Sequence, residues 1–199
     1  MYNPYDYYFK KAKNTWYKAR SVFKLEEIDK KFNIFNKNVK TVLDIGCNPG
    51  SWTQYSHQIL TKNWKKDFKI IGFDISVCNL NLENVHIYKQ DITDFHKASE
   101  NIKKTWIRTF DVIMSDMAPN TTGIKDIDTI KCIWLLESSL PIYEHFLAEN
   151  WKFIIKIFMW PWFEEFLKNL KKTFWEKSIK TYKPSSTRKQ SKEIYIIKK

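Results

Sequence analysis

The segment from Thr41 to Trp52, with the sequence TVLDIGCNPGSW, constrains the fold more than any other part of the chain. It opens with an apolar run typical of a buried strand, which ends at Asp44. A turn with two glycines and a proline follows, and the residues after it predict a helix with Ser51 at its N-cap. A strand that enters a helix through a glycine turn is the first half of a nucleotide-binding crossover, because a backbone without Cβ atoms lets a ligand approach closely.

The spacing within this turn distinguishes two kinds of ligand loop. It lacks the G-x-G-x-x-G pattern of dinucleotide-binding proteins, which disfavours a nicotinamide-dependent dehydrogenase. Instead, Asp44, Gly46, Pro49 and Gly50 follow an acid-first pattern, D-x-G-x-x-P-G, similar to the loop that holds S-adenosylmethionine in methyltransferases. The alternative is an ordinary strand-to-helix turn. The acid before the glycine and the Pro-Gly pair favour the ligand loop.

The charge of the chain indicates a polyanionic partner. Lys and Arg number 34 against 22 Asp and Glu, a formal net charge of +12, and such a surplus is typical of proteins that bind nucleic acid. An AT-rich genome, which enriches Lys, Asn and Ile, is the alternative explanation. The length of 199 residues predicts one domain over 1–199, with a basic helical segment at 1–36 and a Rossmann-like core at 37–199.

Cysteine usage and hydropathy indicate a reducing, aqueous compartment. Cys47, Cys78 and Cys132 are odd in number and show no C-x-x-C spacing, so we expect neither a disulfide framework nor a zinc site. No apolar stretch reaches the length of a membrane span, and the N-terminus lacks the pattern of a signal peptide. We therefore expect a cytoplasmic protein.

The N-terminal segment predicts one or two basic helices before the sheet. Apolar residues recur at helical spacing from Val22 to Ile28, with Lys18, Arg20 and Lys24 close by. A basic helix with interleaved aromatic residues suits contacts to the backbone and bases of RNA. A solvated amphipathic face is the alternative for any single lysine.

Three acidic residues stand at the ends of predicted strands. Strands are expected at 69–75 and 85–92, ending near Asp74 and Asp91, and a further strand from residue 110 ends before Asp116. Ligands of open α/β sheets bind outside the carboxyl ends of the strands, so Asp74 is a candidate acceptor for ribose hydroxyls and Asp91 for an adenine amino group. A simple turn aspartate at a strand end is the alternative at each position.

A lysine interrupts the fifth predicted strand. Residues 152–159 form an apolar run that contains Lys156, and a buried amine is costly unless it is paired or used. The alternative is a strand end that faces solvent. Helical periodicity predicts covering helices at 127–149 and 162–175, before and after this strand.

The last residues predict a β-hairpin. Residues 177–184 and 191–199 read as its strands and 185–190 as its loop. Glu193 opens the last strand, surrounded by Arg188, Lys189 and Lys192. The alternation of strands and helices with a terminal β-pair predicts a three-layer Rossmann-like α/β fold, with a mostly parallel sheet and an antiparallel terminal strand.

Five blocks of the sequence, in order, resemble one family. KARSVFKLEEID is similar to SRAxFKLxEI, LDIGCNPGSWTQ to DLGAAPGGWSQ, DVIMSDMAPNTTG to xVxSDMAPNxSG, FIIKIF to FVVKVF, and KPSSTRKQSKEIYII to KPxSSRxxSxEvYiV. From about Tyr8 to Ile197 the chain therefore resembles the FtsJ/RrmJ family of RNA ribose 2′-O-methyltransferases, in its RlmE group.

The resemblance implies a cofactor, S-adenosylmethionine, and a set of site residues. The family's catalytic Lys-Asp-Lys-Glu set falls on Lys24, Asp116, Lys156 and Glu193. The expected cofactor contacts are Asp44, Gly46, Pro49, Gly50, Ser51, Trp52, Asp74, Ile75, Asp91, Ile92 and Asp116. The expected RNA contacts are Lys18, Arg20, Arg188, Lys189 and Lys192, and no metal is implied.

The resemblance also implies a substrate class. A chain without large extensions is most similar to the bacterial members that act as monomers on a uridine of large-subunit ribosomal RNA. The tRNA anticodon loop is the alternative substrate. A non-catalytic RNA-binding module is a further alternative, which the intact Lys-Asp-Lys-Glu set disfavours.

The implied catalytic set makes chemical sense. A ribose 2′-hydroxyl must lose its proton during attack on a methyl group, and a lysine accepts that proton only if its pKa falls toward neutrality through desolvation or a neighbouring cation. Lys156, in an apolar strand and near Lys24, is the predicted base. Asp116 and Glu193 are predicted to orient the two amines, so that the 2′-oxygen, methyl carbon and sulfur lie in line.

Tryptophan stands where the family has glycine at several turns. The chain has nine Trp and four Gly, against an average glycine usage of about 7%. The positions are Trp16, Trp64, Trp151, Trp160 and Trp162. We hypothesise that the source organism reads UGA as glycine and that this sequence was written with UGA as tryptophan. Where such a turn needs a positive φ, tryptophan adds strain of about 1–3 kcal/mol.

Overall fold

The computed structural model describes residues 7–119, 122–159, 163–174 and 176–199. Within them seven strands form one sheet. The strands are β1 (Thr41–Ile45), β2 (Lys69–Asp74), β3 (Val85–Lys89), β4 (Phe110–Ser115), β5 (Leu147–Phe158), β6 (Ile179–Tyr182) and β7 (Glu193–Lys198). The helices are α1 (Tyr7–Asn14), α2 (Val22–Phe32), α3 (Ser51–Trp64), α4 (Phe95–Lys104), α5 (Lys125–Phe146) and α6 (Phe163–Thr173), with a 3₁₀ turn at Glu176–Ser178.

The strand order is β3-β2-β1-β4-β5-β7-β6. Strands β1 to β5 pair in parallel, and β7 pairs antiparallel with both β5 and β6. The chain moves outward from β1 to β3 and then returns to the other side of β1, so the strand order reverses between β1 and β4. Ligands of such sheets bind at this reversal, outside the carboxyl ends of the strands.

Two apolar clusters cover the two faces of the sheet. One face packs against residues of α1, α2 and α3, including Leu25, Ile28 and Leu60. The other packs against residues of α4, α5 and α6, including Tyr143 and Leu170. This arrangement confirms the predicted three-layer α/β fold with a mostly parallel sheet and an antiparallel terminal strand.

Several element boundaries differ from the sequence predictions. Strand β5 begins at Leu147 rather than residue 152, because its first residues extend the pairing with β4 at Phe110. Helix α4 is not predicted by the sequence analysis, although Asp94 caps it by accepting from the amide of Lys97. Ser51 is wrong as the N-cap: α3 begins at Ser51, and the cap position is held by Gly50 at φ 110°.

The tryptophans differ in backbone conformation. Trp16 has φ 62° and is 87% exposed, which fits a turn that favours glycine. Trp64 instead ends α3, and Trp151 lies within β5. The indole rings of both residues pack against the apolar core. Trp160 and Trp162 lie outside the described residues. Trp106, which the sequence comparison does not single out, has φ 64° and is 92% exposed.

Among the described helices, none combines the length and the apolar character needed to cross a bilayer.

Candidate active site

The glycine turn after β1 is tightly packed by the chain itself. Gly46 has φ 75°, and a Cβ atom there would lie 2.7 Å from the Cβ atom of Met117, in the loop after β4. Gly50 has φ 110°, and its Cβ atom would lie 3.0 Å from a methyl carbon of Leu80. Gly46 therefore needs glycine for conformation and for space, whereas Gly50 needs it for conformation, since the Leu80 methyl group lies at the end of a flexible side chain.

A cleft opens at the carboxyl ends of β1 to β4, at the reversal of strand order. Six of the predicted cofactor residues line it: Gly46, Asp74, Ile75, Asp91, Ile92 and Asp116. Asn48, Gln90 and Met117 complete much of the wall. The structure therefore brings together residues from four consecutive strand ends, as parallel strands require.

Asp74 ties the glycine turn to the segment after β2. Its Oδ2 accepts from the amide of Asn48 at 3.0 Å, and its Oδ1 accepts from the amide of Ser76 at 2.8 Å. Asp91 follows β3, and its Oδ1 accepts from the amide and the hydroxyl of Thr93. Carboxylate oxygens have two lone pairs each, so both side chains keep acceptor capacity toward the cleft.

The cleft fits an adenosine group. Two carboxylates at adjacent strand ends suit ribose hydroxyls and an exocyclic amine, and Ile75, Ile92 and Leu135 present apolar surface suited to a purine ring. Ile75 is 63% exposed at the rim, so a flat ring bound there would cover apolar surface that now faces solvent.

The other predicted cofactor residues do not line the cleft. The indole of Trp52 is buried, and its Nε1 donates to the carbonyl of Ser21 at 3.0 Å. Ser51 is buried too, with its hydroxyl 3.0 Å from that of Ser21. Gly50 is buried at the start of α3, and Pro49 is exposed after a cis peptide bond. Ser51 and Trp52 thus contact the segment that leads into α2.

Asp44 lies beneath the cleft and is fully buried. Its Oδ2 accepts from the hydroxyl of Thr53 at 2.6 Å, while Oδ1 has no hydrogen-bond partner among the described residues. Burial raises the pKa of Asp44 to about 7, only partly opposed by the Thr53 hydrogen bond, and the Asp116 and Asp74 carboxylates raise it further.

The four predicted catalytic side chains meet at the edge of this cleft in two ion pairs. Lys24 of α2 lies 2.6 Å from Oε1 of Glu193, where β7 begins. Lys156 of β5 lies 3.2 Å from Oδ1 of Asp116 and also donates to the Asp116 carbonyl oxygen. All four side chains are at most 17% exposed, and each of these largely buried charges has a partner of opposite sign, which offsets the cost of removing it from water.

Tyr195 joins the two ion pairs. Its hydroxyl lies 2.7 Å from Oε1 of Glu193 and 2.9 Å from Oδ1 of Asp116. Burial raises the pKa of Tyr195 well above its ordinary value, and the two carboxylates raise it further. The hydroxyl therefore stays protonated, and its single hydrogen serves one carboxylate at a time.

Tyr195 is a site residue that the sequence analysis missed. It lies two positions after Glu193, so both side chains project from the same face of β7, and in the sheet it stands directly opposite Lys156. The sequence could have revealed the first relationship, because residues two positions apart in a strand, such as Glu193 and Tyr195, share a face. The position of Tyr195 opposite Lys156 depends on the register of β5 with β7, which the sequence does not contain.

The predicted RNA-contacting residues divide into two groups. Arg20 and Arg188 line a second cavity together with Lys24 and Glu193. Lys18, Lys189 and Lys192 are exposed and do not line it. The two arginines come from the segment before α2 and from the loop between β6 and β7, which are distant in sequence.

Comparison with known proteins decides the family. The profile of the FtsJ-like methyltransferases matches residues 17–199. The chain belongs to this family. It is a methyltransferase that uses S-adenosylmethionine, and the resemblance seen in the five sequence blocks is confirmed.

Relatives match over nearly the whole chain. A Bdellovibrio bacteriovorus protein named ribosomal RNA large subunit methyltransferase E is 39% identical over 196 residues, which is 98% of this chain and 96% of that protein. The Pelagibacter ubique protein of the same name is 40% identical over 192 residues, covering 96% and 90% of the two chains.

Solved structures agree with the fold. A Plasmodium falciparum protein described as a ribosomal RNA methyltransferase superposes with a TM-score of 0.79 at 29% identity, covering 92% of this chain and 97% of that one. Human methyltransferase-like protein 13, solved with S-adenosylhomocysteine, superposes with a TM-score of 0.62 at 13% identity over 88% and 80% of the chains, and shows the fold alone.

Proposed function

We propose that this enzyme transfers a methyl group from S-adenosylmethionine to the ribose 2′-hydroxyl of a uridine in large-subunit ribosomal RNA. The observation that carries the proposal is the network of Lys24, Glu193, Tyr195, Asp116 and Lys156 at the edge of the cleft. The names of the bacterial relatives support ribosomal RNA as the substrate class.

In the proposed complex, the cleft holds the cofactor's adenosine. Asp74 would accept hydrogen bonds from the ribose hydroxyls, and Asp91 would accept one from the adenine amino group. Asp116 belongs to both the cleft and the ion-pair network, so it would lie at the methionine end of the cofactor. When bound, S-adenosylmethionine supplies an electrophilic methyl group on a sulfonium and leaves as S-adenosylhomocysteine.

Lys156 then serves as the general base. To act as the base, the Lys156 amine must first release to solvent the proton that it carries in the ion pair with Asp116. The neutral Nζ would then accept the proton of the 2′-hydroxyl, while the 2′-oxygen would bond to the methyl carbon and the carbon–sulfur bond would break. Asp116 orients Lys156, and Glu193 orients Lys24, which lies on the far side of Tyr195. Two ion pairs joined by one hydroxyl hold both amines in fixed positions, which reduces the entropy lost on reaching the reactive geometry.

RNA binding is proposed on the basic face that surrounds this network. Arg20 and Arg188 flank Lys24 and Glu193, and Lys18, Lys189 and Lys192 add exposed positive charge around them. The formal net charge of +12 supports attraction of a polyanion to this face. We also infer that the enzyme acts in the cytoplasm, where ribosomal RNA is found, and acts as a monomer.

We infer further that residues 1–36 and 37–199 form one domain. Leu25 and Ile28 of α2 belong to the same buried cluster as Val42 of β1, and Lys24 completes the ion-pair network from α2. The N-terminal segment therefore contributes both core residues and one catalytic side chain, which a separate, loosely linked segment would not supply.

The deciding experiment maps 2′-O-methylated nucleotides in host ribosomal RNA with and without this gene. We expect one uridine of the large-subunit RNA to lose its methyl group when the gene is absent and to regain it when the gene is restored. A parallel assay offers labelled S-adenosylmethionine with large subunits, free ribosomal RNA and tRNA. Transfer to the tRNA anticodon loop alone would contradict the substrate, and RNA binding without any transfer would contradict the enzyme activity.

A further inference from the structure

A second cavity adjoins the ion-pair network on the side away from the cofactor cleft. It lies where α2 begins and where the β6–β7 loop returns to the sheet, and its wall includes Arg20, Lys24, Arg188, Gln190, Ser191 and Glu193. Lys24 and Glu193 are shared with the network, so a ligand in this cavity would lie next to the proposed site of methyl transfer.

The lining of the cavity carries a surplus of positive charge. Three cationic side chains face one carboxylate, Glu193, which already accepts from Lys24 and Tyr195. Burial lowers the pKa of the Arg20 guanidinium, and the nearby Arg188 charge lowers it further, while Glu193 acts in the opposite direction. The two guanidinium groups of this cavity therefore repel each other, and Glu193 offsets only part of the effect on Arg20. An anion between them would relieve this repulsion, and planar guanidinium groups bind phosphate oxygens in pairs.

The loop that carries Arg188 is held against α2 by a carboxylate clamp. Oε2 of Glu27 accepts from the amide of Ser185 at 2.6 Å and from its hydroxyl at 2.8 Å, and Oε1 accepts from the amide of Ser186 at 2.9 Å. Arg20 ties the same loop from its other side, since its Nη2 donates to the Ser186 carbonyl at 2.5 Å.

The clamp depends on an ionised Glu27. Burial raises the pKa of its carboxyl, but the hydrogen bonds from Ser185 and Ser186 outweigh burial and leave the pKa below its ordinary value. Glu27 therefore remains a charged acceptor at neutral pH. A negatively charged side chain within a basic surface is unfavourable for binding RNA unless it holds that surface in shape.

We propose that this cavity is a subsite for one phosphodiester group of the RNA substrate, bound between Arg20 and Arg188, and that Glu27 is the positioning residue that forms it. The proposal rests on the proposed function, because RNA is the ligand. The cavity's contact with Lys24 and Glu193 makes the bound group a phosphodiester close in sequence to the methylated nucleotide.

The first test measures RNA binding against salt concentration for wild type, Arg20→Gln and Arg188→Gln. Loss of one phosphate contact should raise the Kd about tenfold and reduce the slope of log K against log salt by about 0.7–1. An oligonucleotide series with a single uncharged methylphosphonate at each linkage should show one linkage whose substitution weakens wild type but not Arg188→Gln. An unchanged slope, together with no such linkage, would overturn the subsite. Inorganic phosphate that protects Arg188 from modification, without any linkage effect in RNA, would also overturn it.

The second test separates the clamp from general electrostatics. Glu27→Ala removes a negative charge and by charge alone should tighten RNA binding, whereas loss of the clamp should weaken it about tenfold. Glu26→Ala is the matched control, since Glu26 stands next in the same helix and pairs on the surface with Lys30. Tighter binding in both variants would overturn the positioning role. If Glu27→Ala fails to fold, Ser185→Ala removes one of the three clamp bonds and should weaken binding less but in the same direction.

Failure of this inference is distinguishable from failure of the proposed function. If the wild-type enzyme methylates RNA and Arg188→Gln binds RNA as tightly as wild type, the subsite is wrong and the proposed function is retained. If RNA binding depends on Arg20 and Arg188 but the wild-type enzyme transfers no methyl group, the subsite is retained and the proposed function is wrong.

Discussion

Lys156 and Asp116 form a buried ion pair, with Nζ of the lysine 3.2 Å from Oδ1 of the aspartate. The two residues are one step beyond the last pair of the parallel ladder between β4 and β5, in which Ser115 stands opposite Ile155. The sheet register therefore sets them side by side. The antiparallel ladder with β7 then places Tyr195 opposite Lys156, which completes the network from the other side.

The first prediction concerns Lys156. Lys156→Ala should reduce the rate of methyl transfer by about 10²–10⁴-fold, the range for loss of a general base, while the Kd for S-adenosylmethionine changes little. Single-turnover transfer of a labelled methyl group and calorimetric titration of the cofactor measure the two quantities.

A lysine of the same strand provides the control for this variant. Lys152 donates to the carbonyls of Phe32 and Asn33 at the end of α2, away from the network. Lys152→Ala should lower stability without lowering the transfer rate of the folded enzyme. Wild-type turnover by Lys156→Ala would show that another group accepts the proton.

A second prediction concerns cofactor affinity. Asp74→Ala should weaken S-adenosylmethionine binding about 10–100-fold, because it removes a charged acceptor and releases the amides of Asn48 and Ser76 that shape the cleft. Asp67→Ala is the control, since that carboxylate is exposed and forms its ion pair with Lys40, at the other end of β2 from the cleft. Equal affinity of the two variants for S-adenosylmethionine would show that Asp74 does not contact the cofactor.

The pH dependence of stability should report on Asp44. Its pKa is about 7 in the folded state, mainly because the carboxyl is buried. In an unfolded chain the pKa of an aspartate is about 3.9. Between these values the folded state holds a proton that the unfolded state has released. The free energy of unfolding therefore falls as pH rises from about 4 to about 7, by up to ~4 kcal/mol at ~1.4 kcal/mol per unit.

Asp44→Asn removes this titration. Denaturation of the cofactor-free protein at about pH 5 and about pH 8 should show a smaller pH-dependent loss of stability in Asp44→Asn than in wild type. Asp67→Asn, in which the substituted side chain is exposed, should behave as wild type. Identical pH profiles in Asp44→Asn and wild type would show that Asp44 stays ionised throughout.

The tryptophan turns yield a fourth prediction. Trp16 and Trp106 have positive φ and highly exposed indoles, so replacing either by glycine should stabilise the protein by about 0.5–1 kcal/mol. Trp64→Gly should destabilise the protein by about 2 kcal/mol or more. The Trp64 ring packs on the core, and Nζ of Lys40 lies 4.1 Å from the centre of that ring. Thermal denaturation of the three variants gives the comparison.

The same residues bear on the UGA hypothesis. It predicts that protein isolated from the source organism carries glycine at positions 16, 64, 151, 160 and 162, and the conformation of Trp106 extends the prediction to position 106. Mass spectrometry of the native peptides identifies the residue at each position. Tryptophan at 16, 151, 160 and 162 in cell-derived protein would reject recoding. Trp64 and Trp151 agree less well with a glycine, because both rings pack on the apolar core and neither residue has a positive φ.

The local pattern of the sequence was sufficient for most of the architecture. The apolar runs at Val42, Ile70 and Ile113 predicted strands, and the turn through Gly46 and Gly50 predicted the crossover that organises the sheet. These signals are readable because strand burial and positive φ each restrict the residue types at single positions. Boundaries were less readable: β5 begins at Leu147 because pairing with β4 overrides the polar residues at its start.

The site divides along the same line. The sequence by itself determined the chemistry available: two lysines, two carboxylates and a chain of acids at strand ends, because side-chain chemistry is a property of each residue. Tertiary structure alone decided which groups meet. The register of β5 with β7 places Tyr195 between two carboxylates, and the fold of the β6–β7 loop onto α2 brings Glu27 to Ser185 and Arg188 close to Arg20. Such contacts join residues up to 168 positions apart, and their distances depend on the packing of the whole sheet, which no local pattern encodes.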